Sequence, residues 1–243
     1  MPTSTQSIRE IVSTQPSAAQ IFLRFDIDLC ARADESLNQA CAELQLSVDQ
    51  VLEKLADAEA KALGAAPVDP ANLPVGRLIQ HIVRVHHQRV RQELPGFAAM
   101  ARQLAAKRGA RAPELKNVEA LVEELRADLL SHIQKEEQVL FPFISEMDQD
   151  SKVGALPAHA CFGSVARPIS MMMQEHESAG RTVAELRGLT RGFEPPAWAC
   201  ATHTALYGGL RGFEIDLEQH VHLENDVLFP SAIAMEAALN HRG

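Results

Sequence analysis

Apolar residues recur at helical spacing through four long stretches of the chain, near 75–108, 114–146, 166–190 and 197–240. Segments containing Gly and Pro separate them, and residues 149–165, with Gly154, Pro157 and Gly163, read as the longest loop. Four amphipathic helices with connecting loops predict an all-α, antiparallel four-helix bundle. The first stretch is expected to bend or break at Pro95, which lacks a helix donor and clashes with the preceding turn. Upstream, apolar segments at Ile8–Val12 and Ile21–Phe25 and a helix announced by Ser47-Val-Asp-Gln50 make a compact helical unit. That tetrapeptide has the form of a capping box, with Leu46 and Val51 as its hydrophobic staple. The run Gly64-Ala-Ala-Pro-Val-Asp-Pro70 interrupts the pattern, so a small helical domain over 1–64 is expected ahead of the bundle at 75–243.

The bundle pattern repeats internally. His132-Ile-Gln-Lys-Glu136-Glu-Gln-Val-Leu-Phe-Pro142 matches His220-Val-His-Leu-Glu224-Asn-Asp-Val-Leu-Phe-Pro230 at a constant offset of 88 residues. Leu125 and Leu129 precede the first copy as Phe213 and Leu217 precede the second. Each His and Glu therefore continues an inward-facing i, i+4, i+7, i+11 stripe, which places both polar pairs in the core. Residues four apart lie about 40° apart around a helix, so one imidazole and one carboxylate can reach a common ion. Two buried glutamates facing each other repel unless cations lie between them, and a dimetal centre resolves the conflict.

Further imidazoles are available to complete the ligand sphere. His176 lies on the third helix in line with Met172, Ala179 and Val183, 44 residues before His220. The mirrored place on the first helix, 45 residues before His132, is His87 beside His86; His86 continues the face of Ile79 and Ile82, whereas His87 lies with Val83 and Val90. Periodicity leaves that choice open. Four imidazoles with two bridging carboxylates suit iron, with manganese as the alternative, and leave positions for a small diatomic ligand, while structural zinc favours four closed ligands without carboxylate bridges.

Composition narrows the function classes. The chain has 243 residues, 46% of them hydrophobic, and a formal charge of −9, which opposes a polyanionic partner such as nucleic acid. No stretch has the length and apolarity of a membrane span, and the N-terminus lacks the basic start and apolar core of a signal peptide, so a cytoplasmic protein is expected. Four scattered cysteines (Cys30, Cys41, Cys161, Cys200) fit reduced thiols rather than disulfides or a zinc ribbon. Met171–Met173 read as packing residues, His81 and His222 as solvent-facing or neighbours of the ligands, and Glu137 and Glu175 as surface charges or proton-handling neighbours of the site. A purely structural bundle, with its His/Glu pairs in hydrogen bonds, is the plain alternative to a metal centre.

These motifs, with Ile21-Phe-Leu-Arg-Phe-Asp-Ile-Asp-Leu-Cys30 and Glu175-His176, resemble the iron-sulfur cluster repair di-iron family, in which a hemerythrin-like bundle follows a small N-terminal domain. The resemblance covers nearly the whole chain. The family's first-helix ligand stands seven residues before a Leu-Pro pair, here Leu94-Pro95, which selects His87. The implied ligand set is His87, His132, Glu136, His176, His220 and Glu224, holding two non-haem iron ions bridged by carboxylate. Oxygen-carrying hemerythrins use a His-x-x-x-x-Asp element instead, which the second motif lacks. The resemblance implies binding of nitric oxide or dioxygen, action under nitrosative stress, and damaged iron-sulfur proteins as partners. Reduction of two nitric oxide molecules to nitrous oxide at such a pair is chemically reasonable, given an electron donor. One departure stands out: the family's adjacent cysteines are replaced by Cys30-Ala31-Arg32-Ala33. That keeps open a resemblance to the di-iron nitric-oxide binders of denitrification, which scavenge without repair, and an oxygen or redox sensor is a third reading.

Overall fold

The computed structural model describes residues 2–15, 18–25, 27, 29, 32–63, 70–153 and 163–240. Among them the regular elements are helical, apart from one isolated antiparallel bridge between Ser7 and Ser36. The N-terminal helices are α1 (Ile8–Thr14), α2 (Ala18–Arg24), α3 (Leu37–Glu43) and α4 (Val48–Leu63). Then follow α5 (Val75–Ile82), α6 (Gln88–Arg108), α7 (Glu114–Lys135), α8 (Phe141–Val153), α9 (Ala166–Leu189), α10 (Ala201–His222) and α11 (Phe229–Asn240). Turns of π-helix at Val83–His87, Glu136–Leu140 and Leu223–Leu228 join α5 to α6, α7 to α8 and α10 to α11. Four long rods result. Residues 64–69 of the expected break and most of the expected loop, residues 154–162 with Cys161, lie outside the described residues, as do Cys30 and Ala31.

Four expectations are corrected. The first rod does not break at Pro95, which sits inside α6 on its exposed face. The second rod runs past 146 to Val153, since residues 143–153 contain neither Gly nor Pro. The fourth begins at Ala201 rather than 197, because Ala199 N–H bonds the Pro196 carbonyl and closes a turn before the helix starts. Of the three methionines expected to pack, only Met172 is buried; Met171 and Met173 are exposed.

The described chain falls into two compact units. One comprises Met1–Pro67, Glu93–Val122 and Leu186–Phe213. Within it, matching capping boxes start α1 and α3: Ser7 with Glu10, and Ser36 with Gln39. Ser47 Oγ accepts from Gln50 N–H at the start of α4. Phe97 packs edge-on to Phe213.

The other unit comprises Val68–Gln92, Glu123–Glu185 and Glu214–Gly243, and all four rods contribute to it. Its core gathers Leu78 and Ile82 of α5, Ile144 of α8, Ile169 of α9 and Phe229 of α11. Burying one such side chain stabilises by about 1.5–3 kcal/mol. The rods are antiparallel: Val165 at the start of α9 bonds Glu236 near the end of α11, while His176 further along α9 meets Asn225 earlier in the fourth rod. Glu236 accepts from both Val165 N–H and Ser164 Oγ, placing a carboxylate at the positive end of α9.

Candidate metal centre

The polar stripe anticipated by the repeat is buried. Leu125, Leu129, His132 and Glu136 on one rod, and Phe213, Leu217, His220 and Glu224 on the other, are each at most 5% exposed. Both glutamates are wholly enclosed. Each opens a π turn or stands near its start, and the cause lies in the sequence. Pro142 and Pro230 have no N–H for the carbonyls four residues back, and the preceding residues bond five back instead: Phe141 N–H to Glu136 and Phe229 N–H to Glu224. The π turn at Val83–His87, closed by Gln88 N–H on the Val83 carbonyl, turns both His86 and His87 inward.

All six residues expected as ligands come together, in two groups of four donors. His87, His220, Glu136 and Glu224 form one, and His132, His176, Glu136 and Glu224 the other, with the donor atoms of each group within 4.8 Å of one another. The Nε2 atoms of His87 and His220 are 3.2 Å apart, and those of His132 and His176 are 2.9 Å apart. Glu136 Oε2 stands 3.3 Å from both His87 and His132 Nε2, common to the two groups. Glu224 divides its oxygens, Oε1 lying 3.0 Å from His220 and Oε2 3.0 Å from His176.

The arrangement fits cations. Ligand bonds of about 2.1 Å imply donor-to-donor edges of about 3.0–3.4 Å in an octahedron or tetrahedron, the separations found here. Both oxygens of Glu136 and Oε2 of Glu224 are buried without a hydrogen-bond partner among the described residues, a costly state for a carboxylate that a cation relieves.

Around this centre, outer partners fix three of the four rings. His87 Nδ1 pairs with Glu137 at 2.7 Å, and Arg91 holds Glu137 at 2.8 Å. His132 Nδ1 pairs with Glu175 at 2.9 Å, and Lys135 holds Glu175. His176 Nδ1 pairs with Asn225 at 2.9 Å. Phe141 and Phe229, equivalent in the repeat, stack on His87 and His176. Glu137 and Glu175, left between two readings by the sequence, are thus ring-orienting partners. Asn225 was missed, although each of these partners directly adjoins a ligand in sequence: Glu137 after Glu136, Asn225 after Glu224, Glu175 before His176. His86 is buried beside the site but outside both donor groups, and His81 packs edge-on to it. His222 is exposed and pairs with Asp226.

Charge follows from these contacts. Burial lowers the affinity of His87 for a proton, but Glu136 and Glu224 outweigh it and push its pKa up to about 9. His132 is raised from the same opposition. Burial raises the Glu224 carboxyl, yet His220, His176 and His87 together hold it well below the usual carboxylate range. Despite their partial burial, Glu137 and Glu175 are lowered by Arg91 with His87 and by Lys135 with His132, respectively.

Residues 78–232 match the family described as the hemerythrin HHE cation binding domain, and residues 4–59 match ScdA_N, a domain of unknown function (DUF542). The chain is 32% identical over 233 residues to a protein of Enterobacter sp. (strain 638) named iron-sulfur cluster repair protein YtfE, covering 95% of this chain and 98% of that one. A protein of the same name from Pectobacterium atrosepticum is 32% identical over 234 residues, with the same coverage. A probable iron-sulfur cluster repair protein of Haemophilus influenzae is 31% identical over 233 residues, 96% of this chain and 99% of that one.

Proposed function

The chain belongs to the hemerythrin HHE cation-binding family, and from that premise we propose that it is a non-haem di-iron protein which binds nitric oxide and serves iron-sulfur cluster repair under nitrosative stress. The observation that carries this reading is the pair of four-donor groups sharing Glu136 and Glu224. In it, His87 and His220 would hold one iron and His132 and His176 the other, with Glu136 and Glu224 available to both. Bound iron supplies open positions for a diatomic ligand and is also the cargo a damaged cluster lacks. Two imidazoles and two shared carboxylates suit iron better than closed four-ligand zinc sites.

The surrounding residues do the rest. Glu137, Glu175 and Asn225 fix ring orientation and tautomer through Nδ1, leaving each Nε2 lone pair free for the cation. Phe141 and Phe229 cover ring faces and exclude water. A surface groove lined by Leu129, Lys135, Met171 and Gln174 borders His132 and Glu175. In this reading residues 1–64 form a small helical domain ahead of the bundle, and the protein works in the cytoplasm on damaged iron-sulfur proteins.

A second reading, scavenging of nitric oxide without repair, draws on Cys30-Ala31, where a vicinal thiol pair is missing. One experiment separates the two. An iron-sulfur enzyme is inactivated with nitric oxide, the nitric oxide is removed, and the iron-loaded protein is added. Return of activity is the result expected for repair. No return, alongside a changed spectrum when the loaded protein itself meets nitric oxide, favours scavenging; an unchanged spectrum contradicts both.

A further inference from the structure

The internal repeat makes an approximate twofold relation between the half-sites, and it holds for the outer hydrogen bonds until the last one. His87 bonds the residue directly after Glu136, and His176 bonds the residue directly after Glu224. His132 bonds Glu175, the residue directly before His176. By the same relation His220 should bond the residue directly before His87, which is His86. It does not. The His86 ring runs parallel to that of His220, with centroids 5.4 Å apart and planes 7° apart, and makes no hydrogen bond to its Nδ1. His86 Nδ1 is instead 3.1 Å from Asp216 Oδ1, close but poorly aligned for a hydrogen bond, and Arg89 Nη1 is 3.3 Å from the same oxygen. His220 Nδ1 is buried with no hydrogen-bond partner among the described residues.

An acceptor on the outer nitrogen fixes a ligating imidazole and raises its basicity, and loss of such a partner costs about 10–100-fold in metal affinity. We propose that the two iron positions are unequal by construction, that the His87/His220 position yields its ion first, and that His86 is the positioning residue that sets the difference. The inference rests on the di-iron reading and deepens it: one ferrous ion is the lendable cargo, and the other, backed by Glu175 and Asn225, stays behind. Its acceptor would be a group richer in thiolate or carboxylate than the position it leaves.

Release kinetics test this directly. The full chain, loaded anaerobically with two ferrous ions, is mixed with excess ferrous chelator and the coloured complex followed in time. Two phases of one iron each are expected, with rate constants about 10–100-fold apart. Glu175→Ala strips His132 of its acceptor, so it should speed the slow phase toward the fast one and leave the fast phase unchanged. His86→Glu gives His220 an acceptor and should slow the fast phase. An unchanged fast phase in folded His86→Glu overturns the role of His86, and if that variant does not fold, His86→Gln takes its place with the same expected slowing. A single phase in the wild type, or acceleration of the fast phase by Glu175→Ala, overturns the inequality while leaving the di-iron reading intact. Failure of the wild type to take up two ions overturns that reading, and the inference with it.

Discussion

Glu224 keeps its charge while wholly buried because three imidazoles converge on it, and the same contact raises His87 to about 9. The consequence for pH depends on the sign of each shift. For a raised histidine, the stabilisation is present in full below its ordinary 6.5 and is lost as pH climbs through the folded value; His87 and His132 both behave so. For Glu224, depressed from 4.5, stabilisation is present above that value and disappears as pH falls through the lower one. With chelator present, the melting temperature should therefore decline from pH 6.5 toward 9. With ferrous ion in excess it should rise over that window, because protons and the cation compete for the same Nε2 atoms. Parallel slopes in the two scans would contradict this account of the site.

At the scale of elements, two glycines on long helices separate packing from propensity. A Cβ on Gly209 of α10 would stand 2.5 Å from Phe97 Cε1, and that ring is itself pinned against Phe213. A Cβ on Gly188 of α9 meets nothing within 4 Å. Alanine is the better helix former by about 1 kcal/mol, so Gly188→Ala should raise stability by roughly 0.5–1 kcal/mol. At Gly209 overpacking costs about 1–3 kcal/mol, so Gly209→Ala should lower it. Urea midpoints of the two variants check the pair, and a shift in the same direction for both would show that contact does not decide. The helices themselves were legible, because apolar spacing reports an amphipathic face directly. Their π turns were not, although the Leu-Phe-Pro triplets at 140–142 and 228–230 carried the signal: a proline just downstream removes the donor that an α-helical bond needs. The start of the fourth rod was misplaced for a related reason, since a turn over Pro196–Ala199 is set by backbone bonding that side-chain periodicity does not report.

For the molecule as a whole, the 88-residue repeat was the most informative feature, because it makes two buried polar pairs share one core. It located five of the six converging residues but left the sixth between His86 and His87, since a π turn faces both inward. The formal charge is −9, and among the described residues no helix is long and apolar enough to cross a membrane. Neither bears on the centre itself. The central claim is that one chain holds two ions on shared carboxylates, and iron content per folded chain after anaerobic loading and removal of loose metal tests it most directly. Wild-type protein should retain two irons, and Glu224→Ala, with its helical circular dichroism intact, fewer than two, because one side chain serves both positions. One iron or none in folded wild-type protein, or two in both chains, would contradict it.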